Sequence, residues 1–69
     1  MRVLQSQFEI GGGFIRHLPT GATFRFYAHE PIFDTVSWAT PESEPRVKGY
    51  LKQDVWREAQ DILARLGRA

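Results

Sequence analysis

Asp54-Val55-Trp56-Arg57-Glu58-Ala59-Gln60-Asp61-Ile62-Leu63-Ala64-Arg65-Leu66 is the stretch that decides the fold. Its apolar residues, Val55, Trp56, Ala59, Ile62, Leu63 and Leu66, recur at i, i+3, i+4 and i+7, the spacing of one helical face. The pattern predicts an amphipathic helix over about 53–66, with all six residues, Trp56 included, in the core. Asp54 near the start and Arg65 near the end suit the helix dipole. Arg57 with Asp61, and Asp61 with Arg65, are i,i+4 pairs worth a few tenths of a kcal/mol each, about 0.3. Gly67 is an ordinary helix stop.

Upstream of this helix the chain alternates with a period of two, as strands do. In Val3–Ile10, Leu4, Phe8 and Ile10 share one face and Gln5, Gln7 and Glu9 the other. Gly11-Gly12-Gly13 then breaks the pattern, and Phe14–Leu18 resumes it. Leu18-Pro19-Thr20-Gly21-Ala22 reads as a hairpin with a three-residue loop. That loop sets Leu18 opposite Ala22 and Phe14 opposite Phe26, and leaves Arg16 on the core side. Ala22–His29 alternates most clearly, with Ala22, Phe24, Phe26 and Ala28 inward and Thr23, Arg25, Tyr27 and His29 outward. Phe33–Ala39 and Arg46–Leu51 are further strand candidates, the latter with Val47 and Leu51 inward and Arg46, Lys48 and Tyr50 outward. The connections are short, so neighbouring strands must be antiparallel. The expected fold class is α+β, one domain over 1–69. It has a small antiparallel sheet of four or five strands, with one C-terminal amphipathic helix packed on one face.

With 69 residues and no cysteine, disulfides, thiol catalysis and cysteine-based zinc sites are excluded. The cysteine-free composition suits a reducing, cytoplasmic setting. A formal charge of +1 gives no global attraction to nucleic acid or anionic lipid. No apolar run approaches the ~20 residues of a membrane span. Acidic residues gather upstream, at Glu30, Asp34, Glu42 and Glu44, and basic ones follow Arg46.

Several chemistries can be weighed residue by residue. Gly11–Gly13 is followed by a strand, whereas a phosphate loop needs a helix there, so a tight turn is expected. His17, His29, Glu30 and Asp34 supply metal-ligand types without a ligand spacing. Ser6, Ser37 and Ser43 with the two histidines supply nucleophile and base types without a signature. No cofactor, metal or catalytic residue is therefore expected, and the chain reads as non-enzymatic. No stretch carries a motif that names a family. The outward sheet face is the candidate site: Gln5, Gln7, Ile15, His17, Thr23, Arg25, Tyr27, His29, Arg46, Lys48 and Tyr50. Of these, Arg25, Tyr27, His29, Arg46, Lys48 and Tyr50 are the expected partner-binding residues, since Tyr and Arg dominate protein interfaces. The expected role is an adaptor, regulator or inhibitor that meets a protein partner through this face and the acidic loop. The rival reading is a nucleic-acid-binding module, whose bases stack on the aromatic side chains while Arg and Lys meet phosphate. A homodimer through the helix is a further alternative.

Overall fold

The computed structural model describes residues 1–27, 32–41 and 43–66. After a single 3-10 turn at Gln5–Gln7 come β1 (Phe8–Gly11), β2 (Phe14–His17), β3 (Ala22–Phe26) and β4 (Phe33–Ser37). Next are two short strands, β5 (Arg46–Val47) and β6 (Tyr50–Leu51), and the helix α1 (Lys52–Leu66). The first four strands form an antiparallel meander in the order β1-β2-β3-β4, and β5-β6 is a separate hairpin. The fold is α+β, a four-stranded sheet with the C-terminal helix packed against it, as expected. The fifth strand of the larger estimate is instead a two-stranded hairpin of its own.

The core lies between the layers. Ile15, Ala22, Phe24, Tyr50, Val55, Ala59, Ile62 and Leu63 are buried together, and Phe8, Phe26, Phe33, Val36 and Trp38 pack around them. Phe24 sits at the centre, its ring 5.0 Å from Phe33 and edge-on to Trp38 at 5.5 Å. Burying a side chain of this size contributes about 2–3 kcal/mol.

The β2–β3 register differs from expectation. His17 pairs with Ala22, Ile15 with Phe24 and Phe14 with Arg25, so the loop holds four residues, Leu18–Gly21. The extra residue is held by Thr20. Its Oγ1 accepts the Ala22 N–H at 3.3 Å, while the Gly21 N–H reaches the His17 carbonyl at 2.8 Å. A one-residue slip exchanges the two faces of a strand. Ile15 and His17 therefore turn inward, and Phe14 and Arg16 turn out. The slip removes Arg16 from the core side, where a charge would be costly.

The N-terminal alternation also yields in part. Gln7 folds back so that its Oε1 accepts the Leu4 N–H at 3.0 Å, which closes the 3-10 turn in place of a strand. Gly11 and Phe14 face each other across the β1–β2 turn, and the Phe14 ring lies over Gly11. A Cβ at Gly11 would collide with the Phe14 ring, so any other residue there would have to displace that ring. Gly12 and Gly13 make the tight turn expected of the triplet.

Arg46–Leu51 is not one strand. Lys48 and Gly49 take φ of 50° and 86°, the left-handed pair that closes a two-residue hairpin. The turn puts Val47 opposite Tyr50 and drives both into the interior. In α1, Val55, Ala59, Ile62 and Leu63 are buried, but Trp56 is 43% exposed and Leu66 is 40% exposed. The buried stripe is narrower than the apolar one, and these two lie on its margin and end. Neither i,i+4 pair of the helix closes to ion-pair distance. Gln5 intervenes: its Oε1 accepts a hydrogen bond from the Arg65 guanidinium, and its Nε2 donates to Glu58 at 3.2 Å and Asp61 at 3.3 Å. Gly67 lies outside the described residues.

Candidate functional site

The helix and the second hairpin occupy one side of the sheet, so among the described residues the other side is uncovered. The alternation and register place Glu9, Phe14, Arg16, Thr23, Arg25, Thr35 and Ser37 on it. Arg16 is engaged there. Its guanidinium meets Glu9 at 3.2 Å, reaches Thr23 Oγ1 at 3.4 Å and stands 5.1 Å above the Phe14 ring. An exposed pair of this kind is worth under ~1 kcal/mol, and it leaves little net charge at that end of the face. Arg25 stands between Phe14 on one neighbour strand and Thr35 on the other, and it is exposed. Among the described residues it has neither an ion pair nor a hydrogen-bonded partner. Tyr27, just past β3, is 61% exposed.

The six expected partner-binding residues therefore do not form one surface. Arg25 and Tyr27 stay together at the exposed end of β3. Arg46 and Lys48 are exposed, but on the separate β5–β6 hairpin. Tyr50 was expected to face outward and is 5% exposed, because the Lys48-Gly49 turn reverses the chain and buries it. His29 lies outside the described residues, as do Glu30 and Glu42 of the acidic loop. Asp34 and Glu44 of that loop are exposed. Asp34 is the extra residue of a bulge, since Arg25 pairs with Thr35 and Phe26 with Phe33.

Other members of the expected face also moved. Ile15 is fully buried, and Gln5 is tied to the helix. His17 is fully buried and joins four elements. Its Nε2–H donates to Gln7 Oε1 at 2.9 Å, and its Nδ1 accepts the Thr20 hydroxyl at 2.8 Å. The tautomer follows from Gln7, whose Oε1 already accepts the Leu4 N–H and must therefore be the carbonyl end. The Gln7 amide donates in turn to the Tyr50 hydroxyl at 3.4 Å. Phe8 and Tyr50 flank the imidazole at 4.8 and 4.9 Å. Burial holds its pKa below the ordinary 6.5, so the ring is neutral at physiological pH. Both nitrogens are occupied, so His17 is a structural group and offers no lone pair to a metal or substrate. The described residues contain no cluster of three or more metal-ligating side chains.

Sequence reasoning missed a second surface feature. Gln5, Ile10, Ile62, Arg65 and Leu66 line a shallow groove of about 290 Å3 between β1 and the end of α1. Its signal was present in Ile10 and Leu66, two apolar residues at the margins of their elements. Among the described residues, no helix is long and apolar enough to cross a membrane. No family model matches the chain, and neither the curated proteins nor the solved structures contain a match to it.

Proposed function

We propose that this chain is a non-enzymatic interaction protein, an adaptor, regulator or inhibitor, that binds a protein partner through the uncovered face of its sheet. One observation carries the reading: Arg25, with no ion pair or hydrogen bond among the described residues, stands on that face between Phe14 and Thr35, with Tyr27 exposed nearby. Arginine and aromatic residues together make the strong contacts of protein interfaces. The acidic residues Asp34 and Glu44 form the second half of the proposal and would meet basic groups of the partner. The proposal includes a cytoplasmic setting, which the cysteine-free composition suits.

The Arg25, Phe14 and Tyr27 grouping also supports the second reading, a nucleic-acid-binding module that stacks bases on the aromatic rings. Burial of Tyr50, the position of Arg46 and Lys48 on another hairpin, and the Glu9 carboxylate beside Arg16 all weaken it.

The test compares capture by the wild-type chain with capture by Arg25→Glu, after circular dichroism has verified equal folding. A protein retained by the first, lost by the second and crosslinked at Tyr27 is the expected result. Equal capture by both removes the sheet face from the reading. Anisotropy of labelled DNA and RNA at ~50 and ~200 mM salt decides the alternative, because phosphate contacts lose affinity steeply over that range.

A further inference from the structure

The two edges of the sheet are not alike. The β4 edge carries a bulge and the charged Asp34, both of which discourage another strand from pairing there. The β1 edge has no bulge, no proline and no lysine, and its one charge, Glu9, is paired with Arg16 on the face away from the groove. The direction of its free groups follows from the ladder. The Leu18 N–H donates to the Gln7 carbonyl at 3.0 Å, so the bonded pairs in phase with it are Glu9 with Arg16 and Gly11 with Phe14. Phe8 and Ile10 consequently turn their main-chain groups to the outer edge. The Phe8 N–H is taken by the Gln5 carbonyl. The Phe8 carbonyl and both main-chain groups of Ile10 have no partner among the described residues.

The groove lies directly inside this edge. Ile10 is 52% exposed on one wall, Ile62 and Leu66 make the other, and Gln5 and Arg65 form the rim. Among the described residues of the lining, Arg65 is the only charged group. Glu58 and Asp61, the nearest helix carboxylates, are both engaged by the Gln5 amide.

We propose that the cleft between the free edge of β1 and the last turn of α1 binds an extended peptide segment of a partner protein. The segment adds a strand beside β1, sets an aliphatic side chain between Ile10, Ile62 and Leu66, and presents an acidic group to Arg65. Three features converge on that occupant. The Ile10 main chain, without a partner among the described residues, supplies the hydrogen bonds of strand addition. The groove sits on the side of the sheet toward which alternate residues of an added strand would point. Its volume, about 290 Å3, has room for one or two side chains and not for a folded domain. The site is separate from the Arg25 face and stands whether or not that reading holds.

The experiment titrates the 15N-labelled full chain with extended hexapeptides that carry one Leu, Ile or Val and an Asp or Glu two positions away. Matched peptides with Lys in place of the acid are the control. The expected result is saturable binding at ~10–100 μM, the weak end for so small an interface, with shifts at Ile10, Ile62 and Leu66. Shifts confined to 23–25 would report the other face and overturn this assignment. Ile10→Pro removes an outward N–H without touching the β1–β2 ladder, and should weaken binding ~10-fold. Arg65→Glu should reverse the preference toward the lysine peptides. Leu66→Gln, at an exposed position, guards against a variant that misfolds, and should also weaken binding. Absence of binding at ~1 mM peptide, indifference to all three substitutions, or concentration-dependent self-association through the same residues would each overturn the proposal.

Discussion

At the scale of the residue, His17 makes folding stability sensitive to acid. Its imidazole is neutral when folded, with a pKa held below 6.5 by burial, while the unfolded chain titrates near 6.5. Below that value the unfolded state binds more protons, so folding stability falls as pH drops from 6.5 toward the folded-state pKa and then levels off. Urea denaturation at pH 7.5 and 5.5 should show a lower midpoint at the acid pH. The His17→Phe variant, less stable at both, should lose most of that difference. Lys48 offers the opposite case. It holds φ of 50°, a left-handed conformation that costs a lysine ~1 kcal/mol. Asparagine tolerates that region, so Lys48→Asn should raise the melting temperature by about 4 °C. Its hairpin was hidden because Lys-Gly is a weaker turn signal than Asn-Gly, and reading one strand there placed the buried Tyr50 on the surface.

At the scale of the element, the helix shows what periodicity can and cannot deliver. Its existence and extent were legible, since six apolar positions recur on one side. The width of the buried stripe was not, because it depends on how far the sheet reaches around the helix. Leu63 is 4% exposed and Trp56 43% exposed, so size alone misleads. Leu63→Ala should cost ~3 kcal/mol by leaving a cavity. Trp56→Gln, despite the larger side chain, should cost under ~1 kcal/mol. Chemical denaturation of the two variants measures the contrast, and a larger loss at Trp56 would mean that the stripe has been misplaced. Among the strands, the clearest alternation was expected over Ala22–His29; the strand ends at Phe26, and over Ala22–Phe26 the expected inward and outward sides are correct. The β2 side was wrong because loop length sets register, and the Thr20 side chain that lengthens the loop leaves no mark in a hydropathy pattern.

At the scale of the whole molecule, the two-layer plan was readable and the surface it leaves was only half readable. Arg25 stayed on the open side because it belongs to the well-signalled third strand, and Tyr27, just beyond that strand, is exposed. Arg46, Lys48 and Tyr50 were grouped with them on the premise that all strands share one sheet, and a second hairpin breaks that premise. The groove at the β1 edge depends on residues far apart in the chain, Ile10 with Ile62 and Leu66, which no local pattern connects. Charge reversal at Arg25 tests the open face at this scale. It should leave stability within ~0.5 kcal/mol, as surface changes do, while abolishing capture of the partner.

The arrangement around His17 also sets the order in which the chain can assemble. The meander of β1 to β4 joins neighbours in sequence and can zip early, since nearby segments close cheap loops. The imidazole, however, is completed by Gln7 and Tyr50, which are 43 positions apart, and the Gln5 clasp spans 60 positions to Arg65. Neither can form until the second hairpin and the helix have docked. The sheet is therefore the expected nucleus, and the N-terminal turn closes against hairpin and helix only after the rate-limiting step. Substitutions at Gln5 and Gln7 should act on the unfolding rate and leave the folding rate almost untouched.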